Sequence, residues 1–330
     1  MIHVGLLGCG RIGKVHAVNV AGHPGSRLAA VSDVHAPAAE ELGEAYGAAV
    51  RTAGEVIADP AIDAVLVATS TDTHADLIEA AVAAGKAVLC EKPVDLDLAR
   101  ARACRDRVKG GRPVMVAHNR RFDPSFRTLK AGLEAGQIGT TEMLALTSHD
   151  PGPPPIEYIR VSGGLFRDMM IHDLDMANFL MGETPERVHA VASSLVDPAI
   201  GEAGDVDTAV VTLLYADGRI AVIRNSRRAA YGYDQRIEVL GSKGMLEARN
   251  VLENQVVRST ADGVTAAKPM HFFLERYMPA YAAEWDAFVR AVAEGATVPV
   301  TLDDGIDALR MADAATLSAR EGRPVALSDI

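Results

Sequence analysis

Apolar positions along the first third of the chain fall in short runs, separated by stretches with helical periodicity. Residues 2–7 (IHVGLL) read as a buried strand, a helical stretch follows through Val20, and 28–32 read as a second strand. The pattern continues with a helix over 37–48, a strand over 64–68, a helix over 75–84, a strand over 87–90 and another over 113–117. Strands alternating with helices in this way build a doubly wound parallel sheet. By about residue 120 the alternation is sufficient for a complete dinucleotide-binding domain, so two domains are expected, 1–120 and 121–330.

The second part has a different rhythm. A helix runs to about Ala135, a strand covers 143–148, and 149–155 contain several prolines that exclude both helix and central strand. A helix opens near Leu165. Strands follow over 188–193, 208–215, 219–225 and 236–240, with Gly218 and 241–244 as turns. Ala216-Asp217-Gly218 has hairpin chemistry, and consecutive strands joined by short turns pair mainly antiparallel. Helices near 277–294 and 303–320 close the chain, with Gly322 and Pro324 as a stop signal. The expected fold is therefore α/β: an N-terminal Rossmann-type sheet, then a C-terminal α+β domain with a large, mainly antiparallel sheet. Helices can cover one face of that sheet. The other face is expected to be a subunit interface, which predicts a homo-oligomer.

Composition narrows the function. With 48% hydrophobic and 23% charged residues the chain is an ordinary globular one, and its net charge of -11 argues against nucleic acid or anionic lipid as partner. The basic run 224–228 reads as part of a strand and its turn. Cys9, Cys90 and Cys104 have no metal-ligand spacing and suit a reducing compartment. The first residues are apolar but lack a basic leader, and glycines interrupt them long before a membrane span is reached. A cytoplasmic location is expected.

Gly8-Cys9-Gly10-Arg11-Ile12-Gly13 follows the first strand directly and opens the first helix, and Asp33 lies about twenty residues beyond. In this context Gly8 permits a tight turn, Gly10 lets backbone approach a pyrophosphate, and Gly13 allows close helix-to-strand contact. The N–H groups at the helix start, through Arg11 and Ile12, face the phosphates. Asp33, with Val34 beside it, would accept hydrogen bonds from the adenosine ribose and repel a 2′-phosphate, so the expected cofactor is NAD rather than NADP. Glycines in a turn without a nucleotide are the competing reading. Ligands of such sheets sit at the strands' carboxyl ends. That rule singles out Thr69-Ser70-Thr71-Asp72-Thr73-His74 and Glu91-Lys92-Pro93. The first is either a polar loop with a helix cap at Asp72 or Thr73, or a cofactor contact through Ser70, Thr71 and His74. The second would hold Glu91 and Lys92 beside the nicotinamide crevice, although a lysine before a proline is also ordinary loop chemistry.

Residues 163–176, GGLFRDMMIHDLDM, place Asp168 and His172 four residues apart on one helix face. An aspartate one turn before a histidine can fix its tautomer and leave the other ring nitrogen to take a hydroxyl proton. The alternative is a surface Asp/His pair. Asp173 and Asp175 follow, but without a second histidine nearby no metal is expected.

The chain resembles the family of glucose-fructose oxidoreductase and inositol dehydrogenase type enzymes, closest to its inositol 2-dehydrogenase branch. The resemblance spans nearly the whole sequence through GLLGCGRIGKVHA, Asp33, ATSTDTHADL, Glu91-Lys92-Pro93, NRRFDPSF, GGLFRDMMIHDLDMA and YDQRIEVLGSKGML. It implies a catalytic set of Lys92, Asp168 and His172, with His172 removing the hydroxyl proton while hydride passes to NAD. Lys92 would assist the developing alkoxide, and Asp168 would orient His172 or bind a neighbouring hydroxyl. Further substrate contacts are implied at Asn119, Arg121, His149, Asp150 and Tyr233, and spacing does not separate Arg120 from Arg121. The implied reaction is NAD-dependent oxidation of a cyclitol, myo-inositol to 2-inosose (scyllo-inosose), by a homotetramer. The rivals are a dehydrogenase of another inositol isomer or a pyranose, an NAD-dependent glycosidase of the same fold, and a regulator that binds NAD without turnover.

Overall fold

Buried on both faces, the strands of a parallel sheet show apolar runs rather than alternation. In the computed structural model, which describes all 330 residues, β4 (Ala64–Val67) is the clearest case, with all four residues fully buried. It belongs to a six-stranded parallel sheet with β1 (Ile2–Leu7), β2 (Ser26–Ser32), β3 (Ala49–Val50), β5 (Ala87–Glu91) and β6 (Val114–Ala117), in the order β3-β2-β1-β4-β5-β6. Helices α1 (Arg11–Gly22), α2 (Ala36–Tyr46), α3 (Ala53–Ala58), α4 (His74–Ala83) and α5 (Leu98–Val108) connect the strands. Strand order reverses between β1 and β4, which opens a crevice at their carboxyl ends. Leu6, Leu66 and Leu89 are fully buried in this sheet, and each contributes roughly 2 kcal/mol by leaving water.

The second unit contains α6 (Pro124–Glu134), β7 (Thr141–His149), α7 (Ile156–Ser162), α8 (Ile171–Met181), β8 (Arg187–Ser193), α9 (Pro198–Glu202), β9 (Thr208–Leu214), β10 (Ile220–Ser226), β11 (Asp234–Gly241) and β12 (Gly244–Ala248). A small hairpin, β13 (Val257–Thr260) with β14 (Gly263–Ala266), and α10 (Phe273–Arg276) follow. The large sheet has the order β12-β11-β7-β10-β9-β8-β15, where β15 is Val325–Ala326. All its pairs are antiparallel except β10 with β7. On one face Leu214, Ile220, Met143, Leu240 and Met245 are paired in succession across β9, β10, β7, β11 and β12, and each is exposed. Such a row leaves apolar surface in water on this unit. No helix is long and apolar enough to cross a membrane.

The chain does not divide into two consecutive pieces. Met1–Phe122 joins Pro279–Leu309 in one compact unit, and Asp123–Met278 joins Arg310–Ile330 in the other. The expectation that 121–330 forms one domain is corrected by α11 (Met278–Glu294) and the start of α12 (Leu302–Glu321). Nearly all of α11 belongs to the first unit: Trp285 donates through Nε1–H to Ser26 Oγ at 2.9 Å, and Tyr281 meets the His16 ring edge-on at 5.6 Å. An amphipathic pattern shows that a helix has an apolar partner but not which one, so sequence order was a poor guide here.

Glu284, also on α11, is fully buried, and neither carboxylate oxygen has a hydrogen-bond partner. Burial raises its pKa well above 4.5, and the Glu91 carboxylate raises it further. The folded protein thus keeps a proton that the unfolded chain releases near 4.5. The stability this contributes is complete below that pH and declines as pH climbs toward the folded value. Glu284→Gln, which copies the neutral acid, is expected to match the parent in melting temperature near pH 5 and to exceed it by a margin that widens up to pH 9. Melting curves with a constant margin across that range would show that Glu284 carries no proton.

Candidate active site

At the start of the first unit, steric contacts dictate the glycines. Gly8 has φ +98°, and a Cβ there would stand 2.3 Å from the Ala68 carbonyl oxygen. A Cβ on Gly13 would stand 2.0 Å from the Gly8 oxygen, whereas one on Gly10 would meet nothing within 4 Å. The backbone at Gly10 therefore faces open space at the head of α1. No side chain caps that helix, so its first N–H groups and the positive end of its dipole are available to an anion. Asp33, at the end of β2, accepts from Cys9 N–H at 2.6 Å and His35 N–H at 2.7 Å. A carboxylate has about four acceptor positions, which leaves capacity for ribose hydroxyls. A cleft of about 420 Å³ is lined by Cys9, Gly10, Arg11, Lys14, His35 and Pro37. An open glycine backbone, an uncapped helix start and a fixed acid fit a dinucleotide.

The loops after β4 and β5 are tied together. His74 is buried, with Nδ1 2.8 Å from the Pro93 carbonyl oxygen and Nε2 3.2 Å from that of Thr69. Its ring thus has a structural task, while Ser70 stays exposed and Thr71 half-buried. The expected cap at Asp72 or Thr73 does not form: Thr73 donates its hydroxyl to Ser70 O, and no side chain caps α4. Glu91 is buried and pairs through Oε1 with His16 Nε2 at 2.8 Å. Burial would raise its pKa, but the hydrogen bond and charge of His16, with Lys92 and His74, hold it below the usual carboxylate value. Lys92, half-buried, follows directly and donates its own N–H to Glu91 Oε2 at 3.3 Å. Asn119, Arg120 and Arg121 are all buried, and Arg121 forms an ion pair with Asp304 at 3.0 Å.

In the second unit, Gly163 and Gly164 both have positive φ, and the helix expected to open at Leu165 starts differently. Met170 N–H reaches back five residues to Leu165 O at 2.8 Å, a wide π turn, and regular α geometry begins only at Ile171. Asp168 lies in the wide turn and His172 in the first turn of α8. Asp168 Oδ1 accepts from the Tyr158 hydroxyl at 2.9 Å, and its Oδ2 lies 3.7 Å from Arg227 Nη2. His149, at the end of β7, lies 3.4 Å from Tyr231 Oη and 3.6 Å from Asp234 Oδ2. Burial lowers the His149 pKa against the pull of Asp234. Asp234 would itself be raised by burial, but Arg236, Tyr231 and Asn250 bring it down to about 2. Tyr233 is buried edge-on against Phe272 and Tyr277, and Asp150 is half-buried with its backbone bonded to Ser226 and Ala229.

Within the second unit, then, the fold brings Tyr158, Asp168 and Arg227 together, and separately His149, Tyr231 and Asp234. Tyr158, Arg227, Tyr231 and Asp234 were absent from the sequence-based site. Arg227 lay inside the basic run taken as strand and turn, and nothing in the sequence marks which member of 224–228 turns inward.

Two family models match the chain. One, described as an oxidoreductase family with an NAD-binding Rossmann fold, covers residues 2–118, and the other, the GFO/IDH/MocA C-terminal domain, covers 126–247. An inositol 2-dehydrogenase of Rhizobium meliloti strain 1021 is 50% identical over 99% of both chains. A myo-inositol 2-dehydrogenase of Thermotoga maritima is 46% identical over 100% of this chain and 99% of its own. Among solved structures, a myo-inositol dehydrogenase from Corynebacterium glutamicum superposes with a TM-score of 0.95 at 42% identity, covering 99% of each chain.

Proposed function

We infer, from the premise that this chain belongs to the GFO/IDH/MocA oxidoreductase family, that the protein is an NAD-dependent inositol 2-dehydrogenase converting myo-inositol to 2-inosose. The observation that carries this reading is the 50% identity to an inositol 2-dehydrogenase over 99% of the chain, which takes in both units. When bound, NAD accepts the hydride from the carbinol carbon.

The chain's own residues account for the remaining tasks. Gly10, Arg11 and Ile12 present backbone N–H groups to the phosphates, and Asp33 holds the ribose. Lys92 stabilises the alkoxide that develops as the hydroxyl proton leaves, and His172 takes that proton. Asp168, already fixed by Tyr158, orients the imidazole or holds an adjacent hydroxyl. His149, Asp150, Asn119, Arg121 and Tyr233 complete the proposed substrate set, a mixture of donors and acceptors suited to a ring of hydroxyls. The exposed apolar row across β9, β10, β7, β11 and β12 supports association of copies through that sheet face, and the proposed assembly is a homotetramer. The three cysteines, all free and buried, suit the cytoplasm.

The reaction is tested by following NADH absorbance with NAD and a panel of inositols, aldoses and aryl glycosides. NADH growth with myo-inositol is expected. Activity confined to another isomer or an aldose, or glycoside cleavage without net NADH, rejects the assignment in favour of that rival. His172→Ala is expected to keep NAD affinity and to lose at least about 100-fold in turnover, as removal of an acid/base does; near-normal turnover sinks its role. Asp33→Ala should weaken NAD and narrow the preference over NADP, and an unchanged preference would disprove the ribose contact. Light scattering is expected to give a four-chain mass, against which a monomer counts decisively.

A further inference from the structure

Arg227 is 1% exposed, and guanidinium groups are rarely buried so deeply without countercharge. Two carboxylates answer it. A single atom, Nη2, lies 3.7 Å from Asp168 Oδ2 and 3.8 Å from Asp205 Oδ2, and neither Nη2 nor Nε makes a hydrogen bond within the chain. Both contacts are thus electrostatic.

The second carboxylate is no bystander. Asp205 accepts from the N–H of Leu165, at 3.0 Å through Oδ1 and 3.1 Å through Oδ2, and Leu165 opens the π turn that carries Asp168. Asp205 also lies hard against the glycine before it: a Cβ on Gly164 would stand 2.5 Å from Asp205 Oδ1. Asp205 therefore fixes the start of the turn, Arg227 links Asp205 to the acid three residues further on, and Tyr158 holds that acid's other oxygen. Arg227 itself is anchored through its backbone N–H, which donates to Asp207 O at 2.8 Å just past the end of β10.

We propose that Arg227 is a positioning residue for Asp168, with Asp205 as the second anchor of the same guanidinium. This rests on the catalytic reading of Asp168 given above. Without the guanidinium, Asp168 and Asp205 would lose the cation they share, and Asp168 would swing toward water. Arg227 itself need not touch substrate, so its effect falls on turnover rather than on cofactor binding.

The test is a double-variant cycle read in kcat with NAD and myo-inositol, with NAD affinity and thermal melting measured for every variant. Arg227→Met is expected to lower kcat about tenfold or more with NAD affinity unchanged, and Arg227→Lys to recover most of that loss. Added to Asp168→Asn, Arg227→Met is expected to cost nothing further, because the group it positions has already gone. If Arg227→Met reduces kcat by the same factor with Asp168 present or replaced, or lowers melting temperature without touching kcat, Arg227 is only a structural ion and the proposal fails. Should Arg227→Met not fold, Asp205→Asn carries the same cycle with the same two outcomes. Parental turnover in Asp168→Asn would instead remove the catalytic reading of Asp168, and the positioning role with it.

Discussion

A carboxylate that remains ionised out of water must be paired, and the first unit is arranged around one that is. Glu91 ends β5, is buried, and takes its partner from α1, where His16 reaches it at 2.8 Å. The helix that supplies His16 is the one whose uncapped start faces the open backbone at Gly10. Lys92 is the next residue along. One buried hydrogen bond therefore sets the uncapped start of α1 and the lysine-bearing loop in register with each other. Removing His16 would take from the buried Glu91 carboxylate a hydrogen bond that helps keep it ionised. Glu284 on α11 lies close enough to feel this carboxylate: burial raises its pKa and the charge of Glu91 adds to that, whereas the His16 hydrogen bond helps hold Glu91 down.

The second unit uses a related device. In the first, a positive-φ glycine, Gly8, is followed by Cys9, whose N–H is taken by the Asp33 carboxylate from the end of β2. In the second, positive-φ Gly164 is followed by Leu165, whose N–H is taken by the Asp205 carboxylate from the loop before β9. Each time a glycine makes room for an abrupt change of direction and an acid distant in sequence fixes the first amide after it. A tight turn into a helix leaves amide donors exposed, and a carboxylate is a strong, orientable acceptor for them. Asp168 and His172, proposed for chemistry, follow within about two turns of the second of these fixed points.

Legibility in the sequence followed the same physics. The parallel sheet and its glycine turn were visible because buried strands show as apolar runs and because the turn tolerates only glycine at Gly8 and Gly13. The π turn at Leu165 was not, since helical periodicity cannot report one extra residue in a turn. The two-residue strand β3, the short helices α7 and α9 and the hairpin of β13 with β14 are too brief to carry a period. The return of α11 to the first unit was hidden because its apolar face is compatible with any apolar partner. Among the proposed site residues, those in local motifs could be named from the sequence: the glycines, Asp33, Lys92, Asp168 and His172. Tyr158, Asp205 and Arg227 were not, because their relation to Asp168 exists only once separate segments are folded together.

Charge compensation distinguishes a site for a neutral polyol from one for an anion. A phosphorylated or carboxylated ligand is held by cations whose countercharge is the ligand itself. In the proposed substrate set, Arg121 already has Asp304 at 3.0 Å, and His149 lies 3.6 Å from an Asp234 that Arg236 in turn balances at 2.7 Å. Asp168 has Arg227 and Tyr158. Arg121 and Asp168 are each answered within their own unit and burial disfavours charge on His149, so what these groups offer a ligand is a direction for a hydrogen bond rather than net charge. A ring of hydroxyls, each able to donate and accept, is matched by such fixed directions. Fixed directions of this kind discriminate between stereoisomers, because an inverted hydroxyl leaves a buried donor or acceptor without its partner, and that penalty is far larger than a change in apolar contact.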